Sequence, residues 1–181
     1  INPKVIFCSI TGFGTKGPDA QKPGFDLIAQ GMSGFMSFTG ELGGGPIKVG
    51  VALADINSGM FAAYGILTAL FHREKTGEGQ VVETSLFETM VAELTFQAGR
   101  YFATGIPPKP EGNRHPLIAP YESFHCQDGY INIAAGNDNL YAQTCQVIEL
   151  PELIKDTRFL NNGIRVTNRE ALTPLMEEKT K

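Results

Sequence analysis

The segment VGVALADINSGMFAAYGILTALFHREKTGEGQ, residues 49–80, most constrains what this chain can become. Gly50, Ala52 and Ala54 make a small-residue approach. Apolar residues then recur at helical spacing, and Lys75-Thr76-Gly77 supplies a stop. The pattern predicts a long helix over residues 56–74 with Asp55 at its entry. A carboxylate there meets unpaired backbone N–H groups and the positive end of the helix dipole. Two readings follow. Asp55 is an N-cap, a common use of aspartate, or it is a carboxylate held ready to attack an electrophile or to stabilise positive charge. Met60, Ala63, Tyr64, Leu67, Leu70 and Phe71 form the apolar stripe, which reads as core.

The flanking pattern is α/β. Residues 4–10 read as a buried strand, parallel because helical patterns follow it. Residues 25–35 have helical spacing, with Phe25, Ile28, Ala29 and Met32 on one face. Gly43-Gly44-Gly45 matches neither phosphate-loop pattern and reads as a turn. Residues 81–86 read as a second strand and residues 87–104 as a second long helix. Residues 105–112 carry three prolines and two glycines and read as a linker. Beyond it, two strand-like runs at 121–125 and 130–134 around Asp128-Gly129 predict a hairpin. A helix over 139–149 should turn Leu140, Cys145 and Ile148 inward, and Asn168 should cap a last helix. The expected division is a large domain over 1–104, a linker over 105–112 and a small α+β domain over 113–181.

Composition excludes several functions. With 42% hydrophobic and 19% charged residues, the 181-residue chain reads as globular, and its net charge of −4 argues against a nucleic-acid surface. Cys8, Cys126 and Cys145 lack metal-ligand spacing, so no metal is expected, and each reads as a buried thiol in a reducing, cytoplasmic setting. Gly59, Tyr64 and Gly65 interrupt the long helix, so no membrane span is expected.

Six segments carry a resemblance: NPKVIFCSITGFGTKGP (2–18), PGFDLIAQGMSG (23–34), GVALADINSG (50–59), HREKTGEGQVVETSLFE (72–88), GNRHPLIAPYESFHCQDGYINIAAGND (112–138) and RFLNNGIRVTNRE (158–170). In this order they resemble the family III coenzyme A transferases, the group holding formyl-CoA transferases, carnitine and bile-acid CoA-transferases and alpha-methylacyl-CoA racemases. The resemblance implies part of a Rossmann-like large domain followed by a smaller α+β domain, in an internal piece of a chain about twice as long that forms interlocked homodimers. It makes Asp55 the nucleophile that carries coenzyme A between an acyl-CoA donor and a carboxylic-acid acceptor through a mixed anhydride. It places Gly24, Phe25, Asp26 and Leu86 near the thioester end of coenzyme A.

The resemblance also offers alternatives. In the racemase branch a histidine stands at the position of Phe25 and a glutamate at that of Asn137, and neither residue here can move a proton. A racemase, or an inactive fragment or binding module, remains the alternative. Asn113, Arg114 and His115 stand where formyl-CoA transferase has a glycine-rich lid. This polar, proline-ended loop points away from oxalate or formate. Arg114 has the fork geometry for a dicarboxylate's free carboxylate, or it is a solvated loop arginine.

Overall fold

The structure, a computed structural model, describes residues 2–181. The chain divides into two compact units, Ile1–Pro110 and Glu111–Lys181.

The first unit is built on a β-helix-β crossover. Strand β1 (Phe7–Thr11) pairs in parallel with β2 (Val81–Ser85), from Phe7 opposite Val81 to Thr11 opposite Ser85. Helices α1 (Asp26–Met32) and α2 (Leu53–Thr76) lie between them in sequence. Parallel strands need such a crossover, since a tight turn cannot reverse the chain twice. Helix α3 (Leu86–Ala92) starts directly after β2, and α4 (Thr95–Thr104) follows. The expected single helix over 87–104 is therefore two, broken where Thr95 takes a positive φ of 43°. Ser85-Leu86-Phe87-Glu88 starts α3: the Ser85 hydroxyl accepts from the Glu88 N–H and donates to its carboxylate. This is a capping-box spacing that the sequence displays.

Helix α2 has 24 residues and ends where Gly77, at φ 77°, donates its N–H to the Arg73 carbonyl. It packs against α1, α3, β1 and β2. Its buried face is Ala54, Ser58, Ala62 and Ala69, while Met60, Tyr64, Leu67 and Phe71 point outward. Apart from half-buried Leu70, the stripe expected as core is thus the exposed one. Small side chains let the helix axis come close to the sheet, and a Cβ on Gly65 would sit 2.5 Å from a Val82 methyl. The larger stripe cannot occupy that narrow gap. By length and composition α2 would also pass for a membrane-crossing helix, contrary to expectation. Strand β1 is not buried either, because Phe7 and Ile10 face outward from a two-stranded sheet. On α1 only Ala29 and Gln30 are buried, and a 3-10 turn at Phe35–Ser37 replaces its expected extension. The core is small: Ala29, Ala54, Leu86 and Met90, flanked by Phe35 and Leu53.

The second unit is α+β. Strands β3 (Tyr121–Cys126) and β4 (Gly129–Ala134) form an antiparallel hairpin with Gln127-Asp128 at its turn. Helices α5 (Asp138–Val147), α6 (Asn162–Thr167) and α7 (Arg169–Thr180) complete it. Phe124, Tyr141, Cys145, Phe159, Leu172 and Met176 make the core. Tyr141 takes the inward place expected for Leu140, which is exposed. Only Cys145 of the three thiols is fully buried; Cys8 and Cys126 are half-buried. Asn168 precedes α7 but makes no side-chain cap, and its amide nitrogen donates to the Arg158 carbonyl.

Candidate functional site

Asp55 stands third in α2, which begins at Leu53 after Ala52. It is therefore not the N-cap, and the Ala52 side chain has nothing with which to cap. The cap comes from another helix. Asp26 Oδ1 accepts the Ala54 N–H at 2.9 Å. Asp26 thus takes the backbone N–H beside Asp55, 28 residues away in sequence. Among the described residues no hydrogen bond or ion pair engages the Asp55 carboxylate, which is exposed. The residue before it could hardly be more enclosed, since Ala54 is fully buried. A solvent-facing carboxylate beside a buried, anchored Ala54 at the positive end of a 24-residue helix is well placed to meet an electrophile.

Two further contacts hold this turn. The Ser58 hydroxyl donates to the Ala54 carbonyl at 2.7 Å and lies 3.0 Å from the Thr89 hydroxyl of α3. On the other side, Gln30 Nε2 donates to both oxygens of Asp26, at 3.0 and 2.8 Å. Gln30 Oε1 accepts the Val49 N–H at 2.9 Å. Gln30, Ser58 and Thr89 were not singled out in sequence. The spacing of Asp26 and Gln30, four apart on one helix, is the signal that shows their pairing; nothing local shows that the pair serves Ala54.

Two of the residues assigned to the coenzyme end, Asp26 and Leu86, meet the same turn. Leu86 shares a buried cluster with Ala29 and Ala54. Gly24 lies backbone to backbone on Gly12, where a Cβ added to Gly12 would stand 2.6 Å from the Gly24 Cα. The Gly12 carbonyl in turn accepts the Phe87 N–H at the start of α3, at 3.1 Å. Asp26 and Leu86 thus each have a structural task at the Asp55 turn, and Gly24 has one against the Gly12 backbone. Phe25 differs: it precedes α1 and is 69% exposed, an aromatic face open to a ligand. An apolar cleft of about 260 Å³ in this unit, lined by Phe38, Leu94 and Tyr101 among others, does not include Asp55.

In the second unit the loop of Asn113, Arg114 and His115 is pinned rather than loose. Arg114 Nε donates to Glu122 at 3.0 Å and its Nη1 to Glu170 at 2.5 Å. Burial opposes its charge, but the hydrogen bonds and charges of Glu170 and Glu122 outweigh it and raise its pKa. A substrate carboxylate would have to displace one of these partners. Arg169 Nη2 donates to the carbonyls of His115 and Ile118, each at 2.6 Å. Burial lowers the Arg169 pKa despite Glu122 nearby. The His115 ring packs on Tyr121, and its Nδ1 accepts from the Leu117 N–H. Asn113 is exposed and lines a cavity of about 360 Å³ with Tyr121, Ser123 and Asn132. Asn137, the counterpart of a racemase glutamate, caps α5 by accepting the Leu140 N–H.

A succinate–glutarate CoA-transferase of Agrobacterium fabrum is 42% identical over 180 residues, which are 99% of this chain and 45% of that protein. An acetyl-CoA:oxalate CoA-transferase of Acetobacter aceti is 42% identical over 98% of this chain and 46% of its own length. A crystal structure of a CAIB/BAIF family protein from Brucella suis matches with a TM-score of 0.82 and 48% identity, over 99% of this chain and 48% of that one. The chain spans about half the length of the relatives it matches. The sequence profile of CoA-transferase family III matches residues 1–181. The chain therefore belongs to CoA-transferase family III.

Proposed function

We propose that the protein moves coenzyme A between carboxylic acids, with Asp55 as nucleophile. The observation that carries this is the Asp55 carboxylate itself: exposed, uncommitted, and next to Ala54, which is buried and hydrogen-bonded through both its N–H and its carbonyl. A carboxylate matches the reaction because its acyl adducts, an anhydride or a thioester, stay as reactive as the substrate.

An Asp55 oxygen attacks the thioester carbonyl of the donor, forming a mixed anhydride and releasing coenzyme A thiolate. The thiolate attacks the aspartyl carbonyl, giving an Asp55 thioester and the free donor carboxylate. The acceptor carboxylate attacks that thioester and again releases thiolate. Attack by the thiolate on the acceptor's carbonyl forms the new acyl-CoA and returns Asp55. The Leu53, Ala54 and Ile56 N–H groups are already taken by Val51, Asp26 and Ala52, so support of the oxyanions falls to the positive end of the α2 dipole.

The names of the two relatives, with succinate, glutarate and oxalate, support dicarboxylic acids as substrates, and the oxalate transferase among them tells against reading the 113–115 loop as excluding oxalate. The outward apolar stripe of α2 supports a second copy of the chain as a further partner. Racemisation has no support: Phe25 carries no titratable group, and the Asn137 amide is used as a cap.

Asp55→Asn, made in the protein at the length of its relatives, tests the reading. Transfer from succinyl-CoA to glutarate should vanish while circular dichroism stays unchanged. With the unaltered protein, hydroxylamine should leave a hydroxamate on Asp55, detected by mass spectrometry after incubation with donor. Near-normal turnover by Asp55→Asn would end the proposal.

A further inference from the structure

We infer that Gln30 is a positioning residue for Asp55, acting through Asp26 and Val49 on the backbone that enters α2. The inference rests on the reading of Asp55 as nucleophile. Gln30 is 0% exposed. A buried amide costs stability unless its groups are satisfied. Here the amide is used at both ends. Its nitrogen forks onto the two oxygens of Asp26, and its oxygen takes the Val49 N–H. The partners decide the orientation of the amide. The reverse flip would set an oxygen against a carboxylate and an NH₂ against an N–H.

The span that this holds is short and specific. Val49 is bonded by Gln30 directly. Ala54 is bonded by Asp26, whose carboxylate Gln30 orients. Residues 49–54 are the whole approach to the Asp55 turn, and one side chain governs both ends. Gly50 has no heavy atom within 4 Å of where its Cβ would be, so side-chain packing does not restrain the approach at that point. The amide bridge supplies restraint there. An error of about 1 Å in a reacting group costs on the order of a hundredfold in rate. A hydrophobic residue of similar volume could fill the space but could not set this geometry.

The test uses the protein at the length of its relatives, with succinyl-CoA and glutarate as probes. Gln30→Met keeps volume and removes the bridge. Its kcat per folded molecule should fall roughly ten- to a hundredfold, with the KM for succinyl-CoA within about twofold, and hydrogen exchange in peptides spanning residues 49–54 should quicken. Gln30→Glu keeps the shape but sets a carboxylate against Asp26, the titratable group that Gln30 meets. Two carboxylates in contact retain a proton to higher pH. That proton restores a donor toward Asp26, so the ratio of Gln30→Glu to wild-type kcat should rise as pH falls. A role in stability alone predicts unchanged kcat per folded molecule and a flat ratio, and either result overturns the inference. If Gln30→Met does not fold, the Gln30→Glu ratio decides. Turnover by Asp55→Asn would instead overturn the nucleophile reading, whereas an inactive Asp55→Asn beside fully active Gln30 variants would overturn only the positioning role.

Discussion

Asp26 and Asp55 should exchange the stability roles that their positions in the sequence suggest. Asp55 has the look of the cap, yet Asp26 accepts the Ala54 N–H. Asp26→Ala removes that bond, and loss of a capping carboxylate costs about 1 kcal/mol. It also strips both acceptors from the Gln30 Nε2, and Gln30 is fully buried. Leaving a buried donor unpaired costs about 1–3 kcal/mol. Together these give about 2–4 kcal/mol. Asp55→Ala forfeits only a favourable placement in the first turn of α2, about 0.3–1 kcal/mol at an exposed site. The two variants should therefore differ by at least about 1 kcal/mol, with Asp26→Ala the less stable. Urea unfolding followed by circular dichroism measures this, provided that the slope with denaturant is unchanged. Asp55→Ala proving as destabilising as Asp26→Ala would refute the account of how α2 begins.

Gly24→Ala should destabilise by about 1–3 kcal/mol, because its Cβ meets the Gly12 backbone and neither chain segment can rotate away; Gly50→Ala, with open space around it, is the control in the same denaturation assay. Cys145 is buried and its thiol pKa is pushed up by desolvation, so a maleimide should label Cys8 and Cys126 first and Cys145 only on unfolding; labelling of Cys145 at the rate of the others would contradict its burial. Glu177 accepts the His125 N–H, which holds its pKa below the ordinary glutamate value. A depressed carboxylate pKa stabilises the fold above the unfolded-state value, and that contribution fades as pH falls through the folded-state value. Acid titration should show a shallower loss of stability for Glu177→Gln than for wild type.

Local chemistry made much of this fold legible. The β-branched runs before glycine, the glycine stop at Gly77 and the two-residue turn of the hairpin each act within a few residues, and β1, β2, α2, β3 and β4 stand close to where they were expected. The pattern of motifs likewise pointed to the family. What failed depended on distance. Hydrophobic spacing shows that α2 has a small-residue face and a large apolar face, but which face meets the sheet is decided by how near the axes come, and there the alanines fit. Asp55 has the residue type and neighbourhood of a cap, yet the helix begins two residues before it and a carboxylate from α1 takes the Ala54 N–H. Arg114 has the fork for a substrate carboxylate, and Glu122 and Glu170 fill it. Residue type and spacing set what each group is able to do. Only tertiary packing decides which partner reaches it, because hydrogen bonds and close contacts are satisfied in space, where Asp26 and Ala54 are neighbours.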